Sequence, residues 1–333
     1  MRIGLAFDMK VPGEPAPPGV PDDIYEEYDP PSTVAAIHDA IAAHGHQVVR
    51  LGGGREFIER VLAERLDFVF NIAEGRGVYR SREGQVPSIL EMLGIPYTFS
   101  DPLTLSISLD KPLTKRMVAA AGVAVAPDWL VRSESDLRTL AEDDLPYPLF
   151  AKPAYEGSSK GIRQTSRIAD AASLEPVVGA MLSDYRQPIM VEGFISGEEY
   201  TVGVLGNEHP EAIGAMRIRP KGGADPDFVY SIEVKRDWKN LVAYDVPPPL
   251  EPEVRERLYG DAVKAFQAIG CRDLSRVDFR IRDGVPVFLE INPLPGLSPT
   301  YGDLPLLSQG MGVSYEDLMG RILKTAFRRC GLA

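Results

Sequence analysis

The chain has 333 residues, 44% of them hydrophobic and 25% charged, the balance of an ordinary globular protein of two or three packed substructures rather than a disordered one. Lys and Arg number 36 against 48 Asp and Glu, a net charge of −12. Such an acidic surface repels phosphate backbones and anionic membranes, which argues against nucleic acid or lipid as the main ligand but leaves room for a locally basic nucleotide pocket. Two cysteines, Cys271 and Cys330, cannot build a disulfide framework and lack zinc-site spacing. No apolar run approaches the roughly 18 residues of a membrane span. The segment Met1–Phe7 leads straight into a strand-like run without a leader's apolar region or cleavage site. A cytoplasmic protein is the expectation.

In chain order, Ile3–Phe7 reads as a strand. Ser32 is placed to cap a helix with Val34, Ile37 and Ile41 on its apolar face, closed by Gly45. Gln47–Leu51 reads as a second strand, Phe57–Leu66 as a second helix and Asp67–Ile72 as a third strand. That alternation predicts a parallel, doubly wound sheet. Between the first strand and the first helix, residues 10–31 carry seven prolines and several acids, among them Asp22, Asp23, Glu26, Glu27 and Asp29. So long a connection at the carboxyl end of a strand is either a ligand-facing insertion or a solvated loop. Further on, a helix with a basic start follows Asp110, then strands at Leu149–Pro153 and Gly161–Thr165 joined by a Gly/Ser loop. Strands are also predicted at Ile189–Phe194, Tyr200–Leu205, Ala212–Ile218 and Val229–Val234. An amphipathic helix over Glu253–Ile269, a hairpin over Arg276–Asn292 and a final helix over Tyr315–Arg328 complete an α+β half.

The strongest chemical signal is Arg276-Val277-Asp278 followed by Glu290-Ile291-Asn292. With a period of two, Arg276 and Asp278 share one face of their strand, and Glu290 and Asn292 share one face of theirs. Val287, Leu289 and Ile291 are expected together on the opposite, core face. An odd connection of three or five residues sets Asp278 across from Glu290 and Arg276 across from Asn292, whereas a two-residue Asp283-Gly284 turn throws the faces out of phase. The odd loop is therefore predicted. Two carboxylates and an amide oxygen suit Mg²⁺, which keeps water and phosphate oxygens as its other ligands. Arg276 beside them is suited to charge developing on a transferred phosphoryl group.

Two weaker signals accompany it. In Lys152-Pro153-Ala154-Tyr155-Glu156-Gly157-Ser158-Ser159-Lys160-Gly161, the Gly/Ser loop offers backbone N–H groups to phosphate oxygens and Lys152 offers a fixed charge. It lacks the Gly-Lys-Ser/Thr of a Walker A loop. In Val191–Thr201, a segment between two β-rich lobes can present its backbone to an adenine edge and a carboxylate to ribose. Other motifs fail. Gly52-Gly53-Gly54 follows the second strand without dinucleotide spacing, the four histidines form no metal pattern, and no Gly-x-Ser-x-Gly elbow occurs.

Taken together and in this order, these motifs resemble the ATP-grasp fold in its D-alanine–D-alanine ligase branch. The resemblance rests on Lys152-Pro153…Gly157-Ser158-Ser159, Glu192–Gly206, Arg276-Val277-Asp278 and Glu290-Ile291-Asn292-Pro293…Pro295-Gly296-Leu297-Ser298. Leu93–Thr98 and Asp110-Lys111…Thr114-Lys115 extend it. It implies a three-part architecture: an α/β, Rossmann-like N-terminal domain over residues 1–105 with the insertion 10–31, and two α+β ATP-grasp lobes over 106–190 and 191–333. It also implies ATP between those lobes, with Lys111, Lys152 and Lys235 at the phosphates and the Gly157–Gly161 loop as a lid. Glu192, Phe194 and Ile195 would line the adenine pocket and Glu199 would hold ribose. Asp278, Glu290 and Asn292 would bind two Mg²⁺ (or Mn²⁺). Arg276 and the backbone N–H near Gly296 would stabilise an oxyanion, with Ser158 among the catalytic residues.

The implied reaction is ADP-forming: a small-molecule carboxylate becomes an acyl phosphate that an amino acid or amine attacks. A homodimer is also implied. The departures fall on the substrate side. The family's early Ser-x-Glu motif is replaced by the insertion, its His-Gly…Glu-Asp-Gly stretch reads Ala73-Glu74-Gly75…Arg82-Glu83-Gly84, Arg236 follows Lys235 in place of a tyrosine, and Tyr301 replaces a serine. Losing polar anchors forfeits discrimination. A substrate pair other than two D-alanines is therefore expected, the alternatives being a genuine D-alanine–D-alanine ligase or a non-catalytic ATP-binding regulator.

Overall fold

The computed structural model describes residues 1–333 except 12, 14, 15, 224 and 333. The chain opens with β1 (Arg2–Phe7), α1 (Pro31–Ala43), β2 (Gln47–Gly52), α2 (Gly54–Ala63), β3 (Phe68–Ile72), α3 (Gln85–Leu93) and α4 (Pro102–Leu109). Its three strands form a parallel sheet in the order β2-β1-β3. Strand alternation distributes the core to both faces. Ile3, Leu5 and Phe7 pack with Ile37, Phe68 and Phe70, while Ala6 packs with Leu51, Phe57 and Val69. The expected doubly wound start is present. Its first helix begins one residue before the predicted cap: Pro30 is the N-cap, Pro31 occupies the first turn where no N–H is required, and no side chain caps it.

Next come α5 (Lys111–Ala120), β4 (Asp128–Val131), α6 (Glu134–Ala141), β5 (Leu149–Pro153), β6 (Arg167–Ile168), α7 (Ala171–Tyr185) and β7 (Ile189–Gly193). The strands make an antiparallel sheet, β4-β7-β5-β6. Leu149, Ala151, Ile189 and Val191 pack under Leu137, Leu174 and Val178 of α6 and α7. The alternate residues Phe150, Lys152 and Glu192 line a cavity instead. Residues Gly161–Thr165, predicted as a strand, form a turn and the start of a 3₁₀ turn, and the paired residues are Arg167–Ile168. Gly161 has φ +76, outside the extended range, and the Ile162 N–H donates to Ser159 O (3.0 Å) within a turn, so neither joins a ladder. Residue 190, where the sequence suggested a boundary, lies inside β7.

The last part comprises β8 (Glu198–Gly206), β9 (Glu211–Pro220), α8 (Ile232–Arg236), α9 (Trp238–Leu241), β10 (Val242–Asp245), α10 (Pro252–Ala268), β11 (Asp273–Arg282), β12 (Val285–Asn292), α11 (Asp303–Gly310) and α12 (Tyr315–Arg329). Its antiparallel sheet runs β10-β9-β8-β11-β12. Val202, Val277 and Phe279 pack against Leu258, Ala262 and Phe266 of α10. The other face turns Thr201, Arg276, Asp278 and Arg280 toward the cavity walled by the four-stranded sheet. The helix α12 returns to the N-terminal sheet, where Leu318, Ile322 and Phe327 join Ile3, Leu5 and Phe68.

Val229–Val234, predicted as a strand, is an irregular segment running into α8. Its alternation is genuine but serves a flap. Val229 and Tyr230 line the cavity, Val234 joins Met216 and Ile218, and the Ile232 N–H donates to Ile162 O rather than to a strand. No helix is long and apolar enough to cross a membrane among the described residues.

Candidate active site

The β11–β12 hairpin sets the chemistry. Asp278 lies opposite Glu290 and Arg276 opposite Asn292, as predicted, but the odd loop is absent. The turn is the two-residue Asp283-Gly284, both with left-handed backbone (φ 54 and 75). Phase is restored by a bulge: Phe279 pairs with Phe288, leaving Leu289 as an extra residue. The bulge also overturns the expected common face of Val287, Leu289 and Ile291. Ile291 packs in the main core, Leu289 lines the cavity with Glu290, and Val287 meets Ala126 and Ile195.

Arg276 is the hub. It donates to Asp278 (Nε to Oδ2, 3.0 Å), to Asp303 (Nη1 to Oδ2, 2.9 Å) and more distantly to Glu290 (3.4 Å). Asn292 Nδ2 lies 3.3 Å from Glu290 Oε1 and 3.5 Å from Asp278 Oδ2, so the two acids and the amide are brought together. Burial, against the pull of Arg276 and with the push of Glu290 and Asp303, lifts the Asp278 carboxyl to about 7. Burial acts the same way on Glu290, but Lys111, Arg276 and Lys152 outweigh it and hold that carboxylate low. Asp303, at the start of α11, carried no signal in the sequence beyond being an acid in a first helical turn, yet it is only 6% exposed and completes the cluster.

On one side of this cluster lies a cavity of about 790 Å³ including its open mouth, between the two antiparallel sheets. Phe150, Ile162, Phe194, Ile195, Val229 and Leu289 give it apolar walls, and Lys152, Glu192, Glu199 and Lys235 give it polar ones. Glu192 is locked between two ammonium groups, Lys152 at 2.8 Å and Lys115 at 2.5 Å. Burial raises its carboxyl, but the two lysines outweigh that and hold it at about 2. Glu199 faces Arg280 at 3.4 Å, and burial raises its carboxyl.

Two residues here were given no role from the sequence, though strand and helix periods point to them. Arg280 follows Arg276 and Asp278 on the same strand face. It donates to Ile195 O (2.9 Å) and to Phe228 O, and its guanidinium lies 5.0 Å from the Phe194 ring centre. Lys115 sits one helical turn after Lys111.

On the other side lies a second cavity, of about 1010 Å³ including its mouth, lined by Ser158, Gly296, Tyr301 and Lys111. The two cavities share Lys235, Arg276 and Asp303 as lining residues, so they meet there. Burial lowers the Lys235 ammonium, which has no ion pair among the described residues. Lys111 faces Glu290 at 3.4 Å and donates to Glu156 O. The Gly/Ser loop stands at the junction: Ser158 faces the second cavity and Ser159 the first, both with positive φ (49 and 60). A Cβ at Gly296 would meet nothing, whereas one at Gly302 would lie 2.7 Å from Ser298 O and 2.9 Å from Gly296 O. Close packing of this turn therefore depends on Gly302.

The proline-rich insertion combines its two alternatives: Glu26–Asp29 line the second cavity, whereas Val11, Gly13 and Pro17–Val20 are exposed. Asp23, fully buried, accepts from the Gly161 N–H (2.9 Å) and the Tyr185 hydroxyl (2.8 Å). Glu27 meets Arg82 at 2.7 Å and Lys160 at 3.3 Å. Arg236 reaches Asp22 (2.7 Å) and Glu26 (3.1 Å) from α8. Tyr28 and Asp29 line the cavity itself.

Residues 117–324 match the family model described as D-ala D-ala ligase C-terminus. A D-alanine–D-alanine ligase from Sinorhizobium fredii (strain NBRC 101917 / NGR234) is 34% identical over 299 residues, 89% of this chain and 92% of that protein. The chain belongs to the D-alanine–D-alanine ligase family. As a member it is an ATP-dependent, ADP-forming carbon–nitrogen ligase on an ATP-grasp frame. Two solved structures share the fold. The D-alanine–D-alanine ligase from Bacillus anthracis complexed with ATP has a TM-score of 0.72 at 22% identity, covering 99% of this chain and 98% of that one. The VanG D-Ala:D-Ser ligase from Enterococcus faecalis has a TM-score of 0.73 at 20% identity, covering 98% and 99%.

Proposed function

We propose that this D-alanine–D-alanine ligase family member joins two D-alanines at the expense of ATP. The departures at Glu74, Arg236 and Tyr301 suggested another substrate pair. The relatives named as D-alanine–D-alanine ligases, at 29% and 34% identity over about nine-tenths of the chain, favour the family reaction instead. The observation that carries the proposal is the meeting of two cavities at Lys235, Arg276 and Asp303. Nucleotide in the first cavity and amino acids in the second bring a terminal phosphate and a carboxylate to that junction.

The roles follow from position. Phe194 and Ile195 hold the base, Glu199 the ribose, and Lys152 the phosphates, with Glu192 fixing that lysine. Lys111 and Lys235 supply charge at the junction. The donor set there, two carboxylates and an amide, fits a hard divalent cation: a proton held by Asp278 at about 7 marks a place where positive charge is wanted. Among the described residues no three acid, imidazole or thiolate groups form a closed cage. That suits Mg²⁺ (or Mn²⁺) sharing its shell with water and phosphate. Asp278, Glu290 and Asn292 would hold it, and when bound it would neutralise charge on the transferred phosphoryl group.

An oxygen of the first amino acid's carboxylate attacks the γ-phosphorus, and the bond to the β-phosphate oxygen breaks, giving ADP and an acyl phosphate. The second amino acid's amine, having lost a proton, attacks the acyl carbon and inorganic phosphate leaves. Arg276 and the backbone N–H near Gly296 stabilise the oxyanion between these events, and Ser158 orients the first substrate. A three-part division over 1–105, 106–190 and 191–333, with the second boundary moved to the end of β7, and a cytoplasmic location belong to the same proposal.

Incubation with ATP, Mg²⁺ and D-alanine should release ADP and phosphate in step with dipeptide, with no turnover of L-alanine. Arg276→Lys, which keeps the charge but loses the fork, should lower kcat/KM by on the order of 10²–10³. Release of AMP and pyrophosphate would sink the acyl-phosphate route. Failure with D-alanine alone, but turnover with another pair, would return the choice to a different substrate pair.

A further inference from the structure

The second cavity has more negative charge than a neutral amino acid pair needs. Its lining acids separate into two sets. Glu26 is paired with Lys10 and Arg236, Glu27 and Glu156 with Arg82 and Lys160, and Asp303 with Arg276. Asp29, Glu74 and Glu83 line the same cavity. Among the described residues they make no ion pair, and their carboxyl oxygens accept no hydrogen bond. Glu83, unpartnered at its carboxyl and only 8% exposed as a residue, lines the cavity, and Asp29 and Glu74 beside it are half-buried.

The three come from separate segments, the insertion, the turn after β3 and the 3₁₀ turn Arg82–Gly84, so no shared helix or strand face brings them together. The surrounding backbone holds two of them in place. Gly75, beside Glu74, has φ +83, and a Cβ there would lie 2.0 Å from Arg82 O, so the Glu74 turn is packed directly on the Glu83 turn.

We infer that Asp29, Glu74 and Glu83 form a cation subsite, so that one amino-acid position of the ligase also takes a substrate with a cationic side chain, such as a diamino acid. The inference rests on the ligase function proposed above. Carboxyls withdrawn from water without a partner are costly when ionised, and these hold protons instead. Burial lifts Asp29 to about 7 with the help of Asp8. Glu83 rises to about 7, with Glu27 and Glu156 adding to burial against Arg82 and Lys111. Glu74 rises well above the usual range through burial and its neighbours Glu83 and Glu27.

The cations that touch this balance are Arg82 and Lys111, and each already has an acid partner. Lys235 lines both cavities, and the charges acting on it are Asp303, Arg276, Glu290 and Asp278 rather than the trio. An ammonium or guanidinium entering the cavity would replace the held protons with a fixed partner. The α-ammonium of an alanine occupies one carboxylate and leaves the others unsatisfied.

The test uses the full-length protein and two probes of equal length, D-ornithine and D-norvaline. By calorimetry at pH 7 without ATP, D-ornithine should bind at least about 10-fold more tightly than D-norvaline. Its binding should release protons, seen as a dependence of the measured heat on the buffer's ionisation enthalpy. Glu83→Gln and the double variant Glu74→Gln/Asp29→Asn should each remove most of the preference and of the proton release. In turnover, D-alanine plus D-ornithine should form mixed dipeptide with ADP release above the rate for D-alanine plus D-norvaline.

Equal binding of the two probes, or a preference unchanged in both variants, would overturn the subsite. Absence of ADP with D-alanine alone would speak against the proposed pair and leave the binding comparison intact. Circular dichroism melts of each variant separate lost binding from lost folding.

Discussion

The two cavities that meet at Arg276 treat charge in opposite ways. Around the first, every acid that matters has a cation fixed against it: Glu192 between Lys152 and Lys115, Glu199 beside Arg280, Glu290 near Lys111. Around the second, Asp29, Glu74 and Glu83 line the cavity without an ion pair among the described residues. The difference teaches how one protein holds two kinds of ligand. On the proposed assignment, a triphosphate brings its own negative charge to a site where Lys152 and Lys115 are already held by the buried Glu192. A zwitterionic or cationic amino acid brings an ammonium, so its site keeps carboxyls waiting.

If that contrast is right, the largest effect should come from breaking the prepaired side. Glu192→Gln removes the only acid within bonding distance of Lys152 among the described residues and leaves the buried Lys115 with Asp128 at 3.7 Å. Stranding buried ammonium groups costs roughly 3–5 kcal/mol. Urea unfolding at pH 7 should show a loss of that size. A loss under about 1 kcal/mol would mean that the lysines find water instead, and that the first cavity is less closed than described.

A smaller effect, of opposite pH sign, sharpens the comparison. The Glu192 carboxyl is held at about 2 against an ordinary 4.5, so its contribution is fully present above 4.5 and is lost as the pH falls toward 2. Asp29 and Glu83 are lifted from 3.8 and 4.5 to about 7, so the folded chain keeps protons that the unfolded chain has released. Their contribution is present below about 4 and is lost as the pH rises through 7. Ligand-free stability should therefore fall on both sides of a maximum near pH 4–5, as far as these groups decide it. Asp29→Asn should flatten the alkaline side and gain ~1–3 kcal/mol at pH 8. An unchanged slope in that variant would show that Asp29 is solvated.

The same division governs what could be read before the structure. The prepaired side is written in local patterns. Arg276-x-Asp278 and Glu290-x-Asn292 sit on strands of period two, and Lys152 precedes a Gly/Ser loop. Even there one feature was hidden: a single extra residue, Leu289, leaves no mark in composition, so the correct pairing was reached through an incorrect loop length. The waiting side has no local pattern at all. Asp29, Glu74, Glu83, Tyr301 and Asp303 come from three stretches of the chain, the β1–α1, β3–α3 and β12–α11 connections with the first residue of α11, and only the fold brings them to one cavity. Val229–Val234 failed for a related reason, since alternation arises wherever a segment has one wet and one dry side, including a flap.

The smallest effect concerns the strap across the second cavity. Arg236, where the family places a tyrosine, joins α8 to the insertion through Asp22 and Glu26. Asp22 is 61% exposed at its side chain and Arg236 37%, so solvent screens the pair and Arg236→Ala should cost only about 0.2–1 kcal/mol of stability. Its consequence should appear in binding. The insertion is also anchored by Asp23 and Glu27, both buried, so it will stay in place while its outer edge loosens. KM for the amino acid should then rise a few-fold with kcat and KM for ATP nearly unchanged, since Arg236 lines neither the nucleotide cavity nor the junction. If KM for ATP rose as much as KM for the amino acid, the strap would have to be counted with the nucleotide side, and the separation of the two cavities would fail at α8, where Lys235 stands next to Arg236.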